Sequence, residues 1–288
     1  MAKPYTGPPP ILVGYDGSAD GVQALDYAAR VAARSKTMLH IVYVVDDTVV
    51  NSSWGVVFDG ADVQAAARKR LAEAALAANA LGAAKKRIRI KVAVGSPIGV
   101  LTQLSQNCSM AVVGRRATGQ DRQFTGSTSI GLAASVRCPL VVVSDVPTDR
   151  DAPIGVALEA DGAGSTGLEW VLGNPLYAGK AVKVVTVCKP PQSRLFWVDP
   201  TQEQIDAAIA QTVAQQAALV AQISARHPGA PTIATEVRYG SPVDELAAFS
   251  ETVSEIVLET NVRFPTYSIG SVCRGVMTYA GCPVVLVK

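Results

Sequence analysis

The residues best suited to chemistry lie in the run from Ala111 to Val143, AVVGRRATGQDRQFTGSTSIGLAASVRCPLVVV. An apolar stretch ends at Gly114, a loop carrying Arg115, Arg116, Ala117, Asp121 and Arg122 follows, and Gly126-Ser127-Thr128 opens a short helical pattern. A strand that feeds a glycine-bounded loop and then a helix start makes a phosphate cradle. The glycines admit an anion close to the backbone, and the N–H groups of the first helical turn face it. Well-placed guanidinium groups add charge-assisted hydrogen bonds worth about 1.5–3 kcal/mol each. Asp121 opposes them unless a magnesium ion intervenes. A second candidate is Asp16, in the Asp-Gly-Ser turn that ends the apolar run Ile11–Tyr15.

Each of these residues also has a purely structural use. Asp16 suits the cap of a helix beginning at Ala19, and Ser127 the cap of its own helix, worth about 1 kcal/mol with no ligand present. Gly114 suits a tight turn, and Arg115-Arg116 a solvated edge. Trp54, in the loop after the second strand, suits either a lid or surface packing.

Other chemistries are poorly supplied. The two histidines, His40 and His227, are too few for a histidine-built metal site, and nothing suggests a Ser-His-Asp triad. Five cysteines (Cys108, Cys138, Cys188, Cys273, Cys282) without CxxC spacing read as buried reduced thiols. The 26 basic and 24 acidic residues leave a net charge of +2 without a long basic run, which argues against a dedicated nucleic-acid binder. No catalytic carboxylate pair or activated nucleophile is evident, so an enzyme reading reduces to slow hydrolysis of a phosphate held in the cradle. No stretch of about 18 apolar residues suggests a membrane helix. The opening MAKPYTGPPP lacks the apolar core of a signal peptide, so a cytoplasmic location is expected.

The elements that must position these residues occur twice. VAVGSPIGVLTQLS returns as VRYGSPVDELAAFS, GSTSIGLAASVRCPLVVVS as GSVCRGVMTYAGCPVVLVK, HIVYVVDD as VKVVTVCK and PPILVGYDGS as APIGVALEAD, all in the same order at offsets of 142 to 145 residues. Two copies of one domain are expected, 1–146 and 152–288, joined around Asp145–Ala152. In the first, apolar periodicity predicts strands at Ile11–Tyr15, Met38–Val45, Ile88–Val94, Met110–Val113 and Leu140–Val143. It predicts helices over Ala19–Ser35, from Val63 to Leu81, from Pro97, and over Ser127–Val136. Alternating strands and helices imply an α/β fold: two tandem doubly wound parallel five-stranded sheets flanked by helices, Rossmann-like. Such sheets bind ligands beyond the strand C-termini where the winding direction switches, which is after strands one and four, at Asp16 and Gly114.

With VGYDGS at the first strand end, VYVVD at the second, VVGRRA…TGSTS near the fourth and RCPLVVV at the last, the chain resembles the universal stress protein family in its tandem-domain form, common in mycobacteria and other actinobacteria. ATP-binding members carry glycine, two residues, glycine, nine residues, then glycine and Ser/Thr. Gly114 and Gly126-Ser127 fit this pattern. Ala117 stands where the second glycine is expected, and only eight residues, Thr118–Thr125, separate it from Gly126. The resemblance implies ATP or another adenine nucleotide as ligand, with Mg2+ as a companion. Gly14, Tyr15 and Asp16 would line the first strand end, Asp16 accepting from the adenine or nearby backbone, and Val44 would pack by the base. Gly114 would pass the ribose, Ser127 and Thr128 would meet the phosphates, Arg115 and Arg116 would add charge-assisted contacts, and Val113, Ala117 and Gly126 complete the cofactor-binding set. A cyclic nucleotide also suits the shorter loop.

The second copy departs from this pattern. Glu259 replaces Gly114, Thr260-Asn261-Val262 replaces Arg115-Arg116-Ala117, and Glu159 replaces Asp16. Charge and bulk at those positions predict a copy without a nucleotide. Gly270-Ser271 persists there, so part of that pair's use must be structural. The expected function is stress-response regulation through a nucleotide bound by the first copy; a nucleotide-independent scaffold is the alternative. The resemblance also implies that the two copies pair through their last strands, LVVV and VVLV, as an internal pseudo-dimer, with homodimerisation a further step.

Overall fold

A computed structural model describes residues 7–46, 60–117, 125–159, 165–189, 200–260 and 269–288. Asp121, Arg122, Trp54, Asn261 and Val262 lie outside them. The chain divides into two compact units, Met1–Asp145 and Val146–Lys288.

In the first unit the order is β1 (Ile11–Gly14), α1 (Ala19–Ser35), β2 (Leu39–Val45), α2 (Gly60–Ala80), β3 (Ile88–Val94), α3 (Pro97–Ser105), β4 (Met110–Gly114), α4 (Ser127–Ser135) and β5 (Leu140–Val143). All pairings are parallel, in the order β3-β2-β1-β4-β5. The strands follow from β-branched apolar runs whose central residues, Val13, Val112 and Val141, are wholly buried. α1 starts at Ser18, whose hydroxyl accepts from the Gly21 amide, and buries a stripe of Ala24, Leu25, Ala28, Ala29 and Ala32. α2 buries Ala67, Leu71, Ala74 and Ala78 at spacings of four, three and four. Proline opens α3 at its first turn, where a missing N–H costs nothing.

The second unit repeats the plan with β6 (Ile154–Leu158), α5 (Ser165–Gly173), β7 (Val182–Cys188), α6 (Gln202–Ser224), β8 (Ile233–Tyr239), α7 (Pro242–Ser250), β9 (Glu255–Glu259), α8 (Ser271–Tyr279) and β10 (Val284–Val287). Its parallel order is β8-β7-β6-β9-β10. In both units the direction of winding reverses between the first and fourth strands. The expected switch point in the first unit thus falls between β1 and β4, where Gly14 lies in register with Val113.

Candidate functional site

At the end of β1, the Tyr15 amide donates to the Val42 carbonyl, 2.9 Å. Burial, and then the neighbouring Asp16 carboxylate, push the Tyr15 phenol above its ordinary pKa. Asp16 does not cap α1. Its Oδ1 accepts from the Ser18 amide (3.0 Å) and the Ser18 hydroxyl (2.6 Å), and Ser18 is the cap. The two-residue reach from Asp16 to Ser18 is an Asx turn, and Gly17 at φ +79° supplies the left-handed backbone it needs. Val44 is half-buried in β2, and Val113 is buried in β4.

At the end of β4, Gly114 does not make a positive-φ turn. A Cβ there would stand 2.9 Å from the Asp20 carbonyl carbon and 2.9 Å from the Gly21 amide nitrogen. The missing side chain is what lets the first turn of α1 lie against β4.

Beyond Gly114 the chain is held by a residue that sequence reasoning overlooks. The buried Asp20 carboxylate accepts from the Arg116 amide (2.9 Å), Arg116 Nε (2.8 Å), Arg116 Nη2 (2.8 Å) and the Asp145 amide (2.9 Å). Arg116 Nη2 also donates to Asp145 Oδ1, 2.7 Å. The hydrogen bond to Asp20, opposed by burial, raises the Arg116 pKa. Arg116 is therefore no solvated edge: its side chain is 9% exposed, and its Nε and Nη2 face carboxylates. Arg115 is buried as well; its amide donates to Val143 O and its carbonyl accepts from the Gly126 amide. An acid in a first helical turn reads as a partner of the helix dipole. Nothing in the sequence couples residue 20 to residues 116 and 145.

Ser127 is not the cap of α4 either. Gly126 takes the cap position with no side-chain bond, and Ser127 and Thr128 lie inside the first turn. The overlooked Ser129 is buried and donates to the Gly114 carbonyl at 2.8 Å, with Arg115 O at 3.1 Å as a weaker second acceptor. The amides of Ser127, Thr128 and Ser129 have no acceptor among the described residues. Ala117, at the edge of the described loop, is exposed.

The second unit rebuilds the scaffold with different groups. Thr260 N donates to Val287 O at 2.7 Å, as Arg115 N does to Val143 O. Cys273 Sγ approaches the Glu259 carbonyl at 3.5 Å, matching Ser129. Burial, and then the Glu159 carboxylate, push the Cys273 thiol up to about 11. Glu259 Oε2 accepts from the Thr166 amide in the first turn of α5, 3.1 Å. An internal anion thus sits at that helix start. As in the first unit, the terminal helix is capped by glycine, Gly270, and Ser271 is helical.

The sequence profile of the universal stress protein family matches residues 9–144, the whole β1–β5 plan with its switch point. The chain contains a domain of the universal stress protein family. It is similar along nearly its full length to a universal stress protein of Mycobacterium tuberculosis strain H37Rv, 28% identical over 294 residues covering 97% of this chain and 96% of that one. Among solved structures, a universal stress protein from Archaeoglobus fulgidus overlays with a TM-score of 0.69 at 16% identity, covering 97% of this chain and 98% of that one. A universal stress protein in complex with cAMP matches 49% of this chain and 99% of that chain, with a TM-score of 0.37 and 24% identity. Among the described residues no helix is long and apolar enough to cross a membrane, and no cluster of three metal-ligating side chains occurs.

Proposed function

We propose that the chain is a regulatory protein that binds an adenine nucleotide, ATP in the first instance, in its first unit alone. The observation that carries the reading is the start of α4. Gly126 is tied to Arg115 O and Ser129 to Gly114 O, so three first-turn amides are presented together beside the end of β4. A phosphate group supplies acceptors to these amides, which have none among the described residues. Asp16, with one oxygen held by Ser18, keeps the other for a base or ribose donor. Glu159 and Glu259 at the matching positions of the second unit repel a polyphosphate.

The test is to release bound nucleotide from freshly purified protein for chromatographic identification and to titrate ATP by calorimetry. One nucleotide per chain is expected. Thr128→Glu, which puts a carboxylate at the amide cluster, should weaken binding at least about tenfold, each tenfold being about 1.4 kcal/mol. Absence of both bound nucleotide and heat of ATP binding would overturn the reading.

One observation favours the scaffold alternative: Arg116, the natural phosphate cation, already faces Asp20 and Asp145. Under that alternative Thr128→Glu changes no ligand-dependent melting, because there is none to change.

A further inference from the structure

We propose that the outer edge of the first unit, formed by β3 and α2, is a docking surface for an acidic, extended segment of a partner protein. β3 ends the strand order of its unit, and β2 is its neighbour on one side. Its other edge carries no strand among the described residues, leaving backbone donors and acceptors for an added strand. Along it runs a groove of about 330 Å3 lined by Gln64, Arg68 and Leu71 of α2 and Ile90, Val92 and Val94 of β3. Ile90 is 47% exposed and Val94 56%, high values for apolar side chains on a strand.

Charge surrounds this apolar strip. The run from Lys85 to Lys91, KKRIRIK, places Arg89 and Lys91 on the sheet face opposite Ile90 and Val92, with Lys85, Lys86 and Arg87 at the strand entrance and Arg68 in the groove. None of these six cations is ion-paired among the described residues. Residues 1–145 hold 16 basic and 10 acidic side chains, against 10 and 14 in residues 146–288. The near-neutral whole chain hides this separation.

Positive charge on an edge strand also discourages edge-to-edge aggregation. The second unit shows that the fold needs no such excess. On the matching edge strand β8, Glu236 is paired with Arg238 of the same strand and with Lys183 of neighbouring β7, and α6 contains no Lys or Arg. The surplus belongs to the first unit alone. An extended peptide alternating apolar and acidic residues satisfies all three features at once. Its backbone pairs with β3, one side-chain row enters the groove, and the other meets Arg89 and Lys91. Nucleic acid has no use for the apolar strip.

The experiment measures fluorescence anisotropy of a labelled ten-residue peptide of alternating Glu and Val with the full chain. Binding is expected, weakening as salt rises because the contacts are exposed, with slowed amide exchange confined to residues 88–94. Arg89→Glu with Lys91→Glu should weaken it at least about tenfold, each tenfold being about 1.4 kcal/mol. The same charge change at exposed Arg34 and Arg137 should leave it unaltered, and circular dichroism checks that both variants fold. The proposal is overturned by failure of the peptide to bind, by equal losses in the two variants, or by equal binding of a Lys-Val peptide. Tighter binding of single-stranded DNA or phosphatidylserine vesicles than of the acidic peptide overturns it too.

Discussion

One buried carboxylate, Asp20, receives four donors from two separate loops. Removing it leaves the Arg116 guanidinium in a site only 9% exposed. Breaking a buried pair in this way costs about 3–5 kcal/mol. Asp20→Ala and Arg116→Ala should each cost that much in urea unfolding, and the double variant much less than their sum; additivity would show that the pair is uncoupled. His40 gives a second residue-level test. Burial, and then the Arg89 cation, depress its pKa below the ordinary 6.5. A depressed folded pKa means the neutral ring stabilises the fold above about pH 6.5 and that this contribution is lost as pH falls through the lower folded value. Melting temperature should therefore decline less steeply between about pH 7 and pH 5 in His40→Gln than in the parent chain. At this scale the sequence is least legible. Spacing shows that Arg116 follows a strand, and it does not show which acid from another part of the chain will face it.

Elements were far more legible. The apolar stripe and the polar boundaries of α1 set both ends, Ala19 and Ser35, as predicted, and β3 and β5 also match their expected limits. The errors concern caps, because Asp, Ser and Gly at a helix start are interchangeable in pattern and differ only in geometry. Ser18 rather than Asp16, and Gly126 rather than Ser127, hold the cap positions. Close packing of elements is similarly hidden, and it makes two glycines opposites. Gly114→Ala drives a Cβ into the backbone of α1, which cannot swing aside, and should destabilise the first unit by about 1–3 kcal/mol. In α5, Gly167 stands where the first unit has Ala24, and a Cβ there meets Val257 Cγ1 at a comfortable 3.6 Å. Gly167→Ala should stabilise by up to about 1 kcal/mol through helix propensity. Thermal melts of the two variants, read as opposite shifts, check both statements.

For the whole molecule, internal repetition was the most informative signal, since four blocks at nearly one offset require two copies of one fold. It also supplied a comparison within one chain. What both copies retain, such as the glycine-capped last helix and the amide that crosses from the fourth strand to the fifth, belongs to the scaffold. What only the first retains is where a ligand or partner is to be sought. Net charge was misleading at this scale, because opposite imbalances in the halves cancel and conceal the basic edge at β3. Under the proposed function, saturating ATP raises the melting temperature of the intact chain by mass action. A Glu259→Gly variant gains no second binding event, since Glu159 still stands at the position of Asp16. A second equivalent of bound ATP in calorimetry would refute this.

The bonds at Asp145 have a mechanical side. Asp145 is the last residue of the first unit, and both its amide and its carboxylate are fastened, to Asp20 and Arg116 respectively. Tension transmitted through the chain from residue 146 onward must break two charge-assisted hydrogen bonds before it reaches β5. The end of the unit is thereby shielded from fraying under load. In pulling experiments the loss of Asp20 should lower the force at which β5 begins to peel.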